Sequence, residues 1–164
     1  MENTEAASPA SPTLGATEIR EIAKKLDLHP AKSLGQNFVI DGNTCRKIVR
    51  LAGVNKTDIV LEIGPGLGSL TITLLPMARE VIAVEIDRRL ASQLAETMQN
   101  KIPNHASNLQ IINEDAQLIN TLPQLPTALV ANLPYNISVP VILHLLEKFP
   151  SINKGLVMVQ AEVA

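Results

Sequence analysis

A short apolar run that leads directly into a glycine-rich turn limits the possible folds more than any other stretch of this chain. Residues 59–63 read Ile-Val-Leu-Glu-Ile, and Gly64, Gly66 and Gly68 alternate immediately after them. Such a run is typical of a central strand in a parallel sheet that helices cover on both faces. The glycines permit close approaches that a side chain would block. We predict a strand, a turn and a helix that starts near Ser69, together forming a nucleotide-sized site.

The spacing of the glycines leaves the ligand of this turn open. Dinucleotide-binding enzymes usually show G-x-G-x-x-G, whereas this chain shows G-x-G-x-G and has Ser69 where the third glycine would stand. On the turn alone, a nicotinamide dehydrogenase, a methyltransferase and a turn that binds nothing remain as interpretations.

An acidic residue at the end of the next predicted strand favours a cofactor that contains ribose. The strand covers residues 81–85 and ends in Glu85. An acid at this position, about 20 residues after the glycine turn, reaches ribose hydroxyls. The simpler interpretation is a solvated charge or a helix cap. Asp87 is better placed to cap the helix that starts at Arg88, which leaves Glu85 for the ribose.

A second polar segment, Asn132-Leu133-Pro134-Tyr135, follows a predicted strand at residues 129–131. Pro134 favours an extended Leu133. The Asn132 side-chain oxygen and the Leu133 carbonyl could then accept both hydrogens of an adenine N6 amino group, while Tyr135 stacks on the base. The alternative is an ordinary strand-to-helix turn, since Asn and Pro are common turn residues.

Two further residues are weaker candidates. Asp115 follows a predicted strand at 109–113 and could accept a hydrogen bond from a purine amino group, although a turn or capping role is slightly favoured. Asn37 belongs either to a loop that folds over a ligand or to a glycine turn that leads into a helix, with Phe38 in the core. The sequence predicts no metal site.

Composition predicts a single cytoplasmic domain. The chain has 164 residues, 46% of them apolar, which suffices for one core. Its net charge of −2 argues against a stand-alone nucleic-acid binder. Cys45 is the only cysteine, which indicates a reducing compartment, and we predict that it lies in the core. Neither a secretory signal nor a membrane-spanning run is present, so no membrane partner is expected.

The two ends of the chain differ from its centre. Residues 1–16 are rich in Ala, Ser, Pro and Thr, and we predict a disordered extension there. Residues 155–164 resemble a strand that has just been completed, without a following turn or helix. We therefore expect a folded domain over residues 17–164 that is incomplete at its C-terminus.

Five motifs together give the chain a family resemblance. They are Leu-Gly-Gln-Asn-Phe at 34–38, Glu-Ile-Gly-Pro-Gly-Leu-Gly at 62–68, Glu-Ile-Asp at 85–87, Glu-Asp-Ala at 114–116 and Asn-Leu-Pro-Tyr-Asn-Ile-Ser at 132–138. In order and spacing the set resembles the ribosomal RNA adenine dimethyltransferases over about residues 31–164. Gly35 and Leu133 favour the bacterial small-subunit branch over the macrolide-resistance methylases of the large subunit.

The resemblance implies a Rossmann-like α/β methyltransferase fold, with a mostly parallel sheet between two layers of helices, and S-adenosylmethionine as methyl donor. It implies cofactor contacts from Asn37, Val39, Gly64, Gly66, Glu85, Asp115 and Asn132, and catalytic roles for Asn132, Leu133, Pro134 and Tyr135. The implied reaction dimethylates N6 of two adjacent adenosines in a hairpin near the 3′ end of 16S ribosomal RNA. The implied partner is the immature 30S particle, and the implied state is a monomer.

Members of that family continue through further strands into a small, basic, helical RNA-binding domain, which this sequence lacks. We therefore expect poor RNA binding and little or no turnover from this chain alone. The alternatives are a methyltransferase of the same fold that acts on large-subunit RNA or DNA adenine, and a non-catalytic ribosome-assembly protein that binds RNA. A nicotinamide dehydrogenase is third, because the glycine spacing disfavours it.

Overall fold

Five parallel strands form one sheet at the centre of the molecule. The structure, a computed structural model, describes residues 12–28 and 41–160. The strands are β1 Ile59–Ile63, β2 Glu80–Val84, β3 Leu109–Ile112, β4 Ala128–Pro134 and β5 Lys154–Gln160, in the spatial order β3-β2-β1-β4-β5. Every neighbouring pair is parallel. The predicted parallel α/β sheet is confirmed.

Helices cover both faces of this sheet. They are α1 Ala16–Lys25, α2 Gly42–Ala52, α3 Thr71–Leu74, α4 Arg88–Lys101, α5 Pro103–Ala106 and α6 Tyr135–Lys148, with a 3₁₀ turn at Ala116–Leu118. Because side chains alternate along a strand, Val60 joins one buried cluster with residues of α1, α2, α3 and α4. Leu61 joins the cluster on the opposite face with residues of α6. None of the helices in the described ranges is long and apolar enough to cross a bilayer.

Local capping signals set the limits of two helices, and the cap of α4 is the predicted one. Asp41 precedes α2, and its carboxylate accepts a hydrogen bond from the Thr44 amide at 2.9 Å. Gly53 follows α2 with a left-handed φ of 71°. Asp87 caps α4 by accepting from the Arg89 and Leu90 amides. These side chains satisfy amide groups that would otherwise lack partners at a helix start.

Three predicted boundaries are wrong. Helix α3 is a single turn that starts at Thr71 instead of near Ser69. Strand β4 extends through Pro134, and α6 follows it directly at Tyr135, so residues 132–134 are extended and do not form a turn. The predicted extension is also too long, because the Leu14 side chain is only 4% exposed and packs in the core beside α1.

The order of the strands locates the crevice in which sheets of this type bind ligands. The chain moves outward from β1 to β2 and β3, and then returns to place β4 on the other side of β1. The carboxyl ends of β1 and β4 therefore border a topological switch point, where connections leave in opposite directions and open a crevice. The buried Cys45 lies on α2, and burial raises the pKa of its thiol to about 12. Its predicted core position is confirmed.

Candidate functional site

A cavity of about 300 Å³ lies at the carboxyl edge of the sheet. This volume is at the lower end of the range for small-molecule sites. Its walls come from the ends of β1, β2 and β4, the loop after β3, the start of α4 and the first two turns of α6. They comprise Ile63, Gly64, Gly66, Val84, Glu85, Ile86, Asp87, Leu90, Glu114, Asp115, Ala116, Asn132, Leu133, Pro134, Ile137 and Val141.

The glycine turn forms the floor of the cavity next to β4. Gly64 has a φ of 72°, and its amide donates to the Val84 carbonyl at 3.1 Å. A Cβ at this position would lie 2.7 Å from the Asn132 carbonyl oxygen. Both the backbone conformation and the lack of space therefore exclude a side chain there. The result is an uncovered backbone surface that a ligand can approach closely.

Glu85 fastens the glycine turn to the end of β2. Its side chain is 6% exposed, and its two carboxylate oxygens accept from the amides of Gly66 at 3.2 Å and Asp87 at 3.0 Å. Burial raises the pKa of this carboxyl despite those hydrogen bonds. Each carboxylate oxygen has a second lone pair, so the group can still accept from a ligand hydroxyl. Asn113 braces the segment by donating its side-chain amide to the Glu85 carbonyl at 2.9 Å.

Asp115 caps the 3₁₀ turn that follows β3. Its carboxylate accepts from the Gln117 amide at 2.9 Å, which confirms the capping interpretation. The same residue lines the cavity, so the cap and a contact with a purine amino group are compatible. The purine contact stays a prediction.

The segment from Asn132 to Tyr135 runs along the rim of the cavity. Asn132, Leu133 and Pro134 line it, whereas the side chain of Leu133 is buried on the α6 face of the sheet. Tyr135 begins α6, and its side chain is 65% exposed and does not line the cavity. Asn37 and Val39 lie outside the described residues. The structure thus gathers Gly64, Gly66, Glu85, Asp115, Asn132, Leu133 and Pro134 around one cavity.

Sequence reasoning missed the contribution of α6. Ile137 and Val141 of this helix form an apolar wall, and neither residue was predicted to line the site. The signal was present as an apolar spacing of four residues from Ile137 through Val141 to Leu145, all in the buried cluster or packed against it.

A second missed residue, Glu62, lies beneath the glycine turn. It is 1% exposed, and both carboxyl oxygens lie within hydrogen-bond distance of the Thr71 hydroxyl, at 2.9 and 2.7 Å. Burial raises the pKa of Glu62 to about 8. A protonated carboxyl satisfies both contacts, because it donates through one oxygen and accepts through the other. Glu62 therefore links β1 to α3 across the turn.

The sequence between residues 28 and 164 matches the family of ribosomal RNA adenine dimethylases. The chain belongs to this family. This family assignment disfavours the nicotinamide dehydrogenase, which was the third alternative function.

Relatives and solved structures agree with this assignment. A ribosomal RNA small subunit methyltransferase A from Paenarthrobacter aurescens is 55% identical over 162 residues, which cover 99% of this chain and 55% of that protein. A dimethyladenosine transferase from Plasmodium falciparum superposes with a TM-score of 0.64 at 34% identity, over 73% of this chain and 42% of that one. The 23S rRNA methyltransferase ErmE gives 0.64 at 32% identity, over 76% and 48%. The predicted methyltransferase fold is confirmed.

The chain spans about half the length of the curated relatives that it matches. The matched half contains the sheet and the whole set of described cavity residues.

Proposed function

We propose that this chain is the catalytic part of an S-adenosylmethionine-dependent methyltransferase that dimethylates N6 of two adjacent adenosines near the 3′ end of small-subunit ribosomal RNA. The observation that carries the proposal is the shared cavity, in which Glu85 and Asn132 lie on either side of the glycine turn at the switch point. Glu85, on one side, offers an acceptor for ribose hydroxyls. The Asn132 segment, on the other side, offers acceptors for an amino group.

The residues that line the cavity fit the proposed cofactor. Glu85 would accept from the ribose hydroxyls, Asp115 would accept from the adenine amino group, and the backbone at Gly64 and Gly66 would pass beneath the ligand. The resemblance adds Asn37 and Val39 as residues that close over it. The apolar side chain of Ile86 is exposed at the cavity and suits the face of a base. When bound, the cofactor supplies an electrophilic methyl group.

The residues at the end of β4 would prepare the target amine. The N6 lone pair of adenine is normally delocalised into the ring. Acceptors at the Asn132 side chain and the Leu133 carbonyl would bind both N6 hydrogens and favour a more tetrahedral nitrogen whose lone pair is aimed into the cavity. Pro134 keeps the segment extended. The exposed ring of Tyr135 is accessible for a base to stack on, a contact worth about 1–3 kcal/mol.

The choice of the small-subunit substrate is supported by the named relatives. Several relatives called ribosomal RNA small subunit methyltransferase A are 53–58% identical to this chain, against 32% for the 23S rRNA methyltransferase. Loop adenosines are also unpaired, so presenting one costs less than flipping a base out of a duplex. The immature 30S particle as partner, a monomeric state and a cytoplasmic location belong to the same proposal.

Calorimetric titration of the chain with S-adenosylmethionine and, separately, with NAD tests the cofactor. We expect binding of S-adenosylmethionine alone, and circular dichroism of the same sample reports whether the chain is folded. A folded chain that does not bind S-adenosylmethionine, or that binds NAD more tightly, would contradict the proposal.

Methyl transfer to two RNA hairpins, one from the small and one from the large subunit, tests the substrate. The assay uses this chain and a version extended to the length of its relatives. We expect dimethyladenosine in the small-subunit hairpin with the extended version. Methylation of the large-subunit hairpin alone would favour the other branch of the family.

A further inference from the structure

The outer face of α2 is a continuous basic stripe. Asn43, Arg46, Lys47 and Arg50 recur at helical spacing on the side opposite the buried residues of this helix. Lys47 and Arg50 are exposed, and no acidic residue occurs within Gly42–Ala52. We call these four residues the α2 stripe.

Lys47 and Arg50 of the α2 stripe take no part in the ion pairs of the described surface. Four other cations form ion pairs, namely Lys25 with Glu96, Lys101 with Glu18, Arg89 with Asp87 and Lys154 with Asp58. Lys47 and Arg50 have no carboxylate partner within the described ranges. Arg46 donates to the side-chain oxygen of Asn43 at 3.1 Å, which holds its guanidinium along the stripe. The charge of Lys47 and Arg50 is therefore available to an external anion.

The stripe points toward the edge of the sheet that holds the cavity. At the C-terminal end of α2, the Gly53 carbonyl accepts from Lys154 at the first residue of β5, so this end lies at the amino edge. The eleven residues of α2 extend about 16 Å, comparable with the strands beside it. Helix α2 also packs against α3, the single turn that follows the glycine turn at the carboxyl edge. The stripe thus begins near the carboxyl edge of the sheet and extends toward its amino edge.

We infer that the α2 stripe binds the phosphate backbone of the RNA that presents its adenosine to the cavity. The inference rests on the proposed function. The chain as a whole is negatively charged, so attraction of a polyanion requires a local concentration of cations. Phosphate contacts from Arg and Lys set the register of a nucleic acid without reading its sequence. The stripe would thereby orient the RNA while Asn132 and Tyr135 engage the base.

Charge reversal on the stripe tests this inference. The variant K47E/R50E is compared with K24E/K148E, which changes the net charge equally at exposed lysines of α1 and α6. The probe is a labelled small-subunit hairpin, and its affinity is measured by anisotropy from about 50 to 200 mM salt. We expect at least a tenfold loss of affinity for K47E/R50E and less than threefold for the control. Loss of two phosphate contacts should also reduce the log–log salt slope by about 1.5.

Further variants and ligands separate the outcomes. K47R/R50K keeps both charges and should retain the affinity of the original chain, while K47Q/R50Q serves if the acidic variant folds poorly. Equal losses in the stripe and control variants would reduce the effect to net charge and overturn the inference, as would an original chain that does not bind the hairpin at about 50 mM salt. S-adenosylmethionine affinity, measured on the same samples, should be unchanged. If no sample bound S-adenosylmethionine, that result would instead contradict the proposed function.

Discussion

The α-carbon of Gly64 faces the backbone carbonyl of Asn132, so closely that a Cβ at position 64 would lie 2.7 Å from the oxygen. The contact joins the ends of β1 and β4 at the switch point of the sheet. Any residue larger than glycine must push β4 away or distort a turn that already has a positive φ. The relative position of the glycine turn and the Asn132 segment thus depends on having a glycine, with no side chain, at position 64.

Gly64→Ala should therefore weaken S-adenosylmethionine binding by at least tenfold and lower the stability by about 1–3 kcal/mol. Calorimetric titration and thermal unfolding measure the two effects. Gly15→Ala is the matched control, because Gly15 has an ordinary φ of −75° and an added Cβ would approach nothing closer than 3.9 Å. Equal affinities in the two variants would show that the close approach is dispensable.

Asn132→Ala should abolish methyl transfer while the affinity for S-adenosylmethionine changes only a few fold. The substitution removes an acceptor for the target amine, and the contacts assigned to the ribose and adenine of the cofactor remain. Turnover is measured with the extended chain and the small-subunit hairpin. Asn136→Ala, at an exposed asparagine in the first turn of α6, should retain activity. Normal turnover by the Asn132 variant would remove this residue from the mechanism.

Glu85→Gln should raise the dissociation constant for S-adenosylmethionine by about tenfold or more. The amide keeps the shape of the side chain, but it replaces one of the two oxygens that accept from Gly66 and Asp87 with a donor. The ribose hydroxyls also lose an anionic acceptor. Glu80→Gln, at the opposite end of β2, makes the same chemical change away from the cavity. An unaltered constant in the Glu85 variant would argue against the ribose contact.

The sequence predicted those parts of the site that depend on local signals. Glu85 and Asp87 lie only two positions apart in the sequence. An acid at the end of a strand predicted ribose binding by Glu85. An Asp before the first residue of a helix predicted Asp87 as the cap of α4. Both Asp87 as cap and Cys45 as core residue are confirmed. The ribose contact of Glu85 stays a prediction.

Features that depend on contacts distant in sequence were not predicted. Pro134 predicted an extended Leu133, but local signals did not show that residues 132–134 belong to β4, because they pair with β5, which begins about 20 residues later. Pro134 is tolerated because it ends the strand and immediately precedes α6. Glu62 was passed over as one polar residue in an apolar strand. Its partner Thr71 is nine positions away and becomes a neighbour only once the glycine turn has formed.

Burial of Glu62 makes the stability of the chain depend on pH. Its pKa rises from an ordinary carboxyl value of 4.5 to about 8 in the folded chain. Between these values the folded state holds a proton that the unfolded chain has lost. The free energy of unfolding should therefore fall as the pH rises from about 5 to 8, by several kcal/mol in total. Below that range Glu62 contributes no pH dependence.

Glu62→Gln should remove this decline, because the glutamine amide can still donate to and accept from the Thr71 hydroxyl but has no proton to lose. Urea unfolding at pH 5, 6.5 and 8 should give similar stabilities for the variant and the original chain at pH 5, and a more stable variant at pH 8. Glu147→Gln, at an exposed position of α6, is the matched control and should keep the decline. An original chain whose stability did not decline between pH 5 and 8 would show that the buried carboxyl does not hold a proton in the folded state.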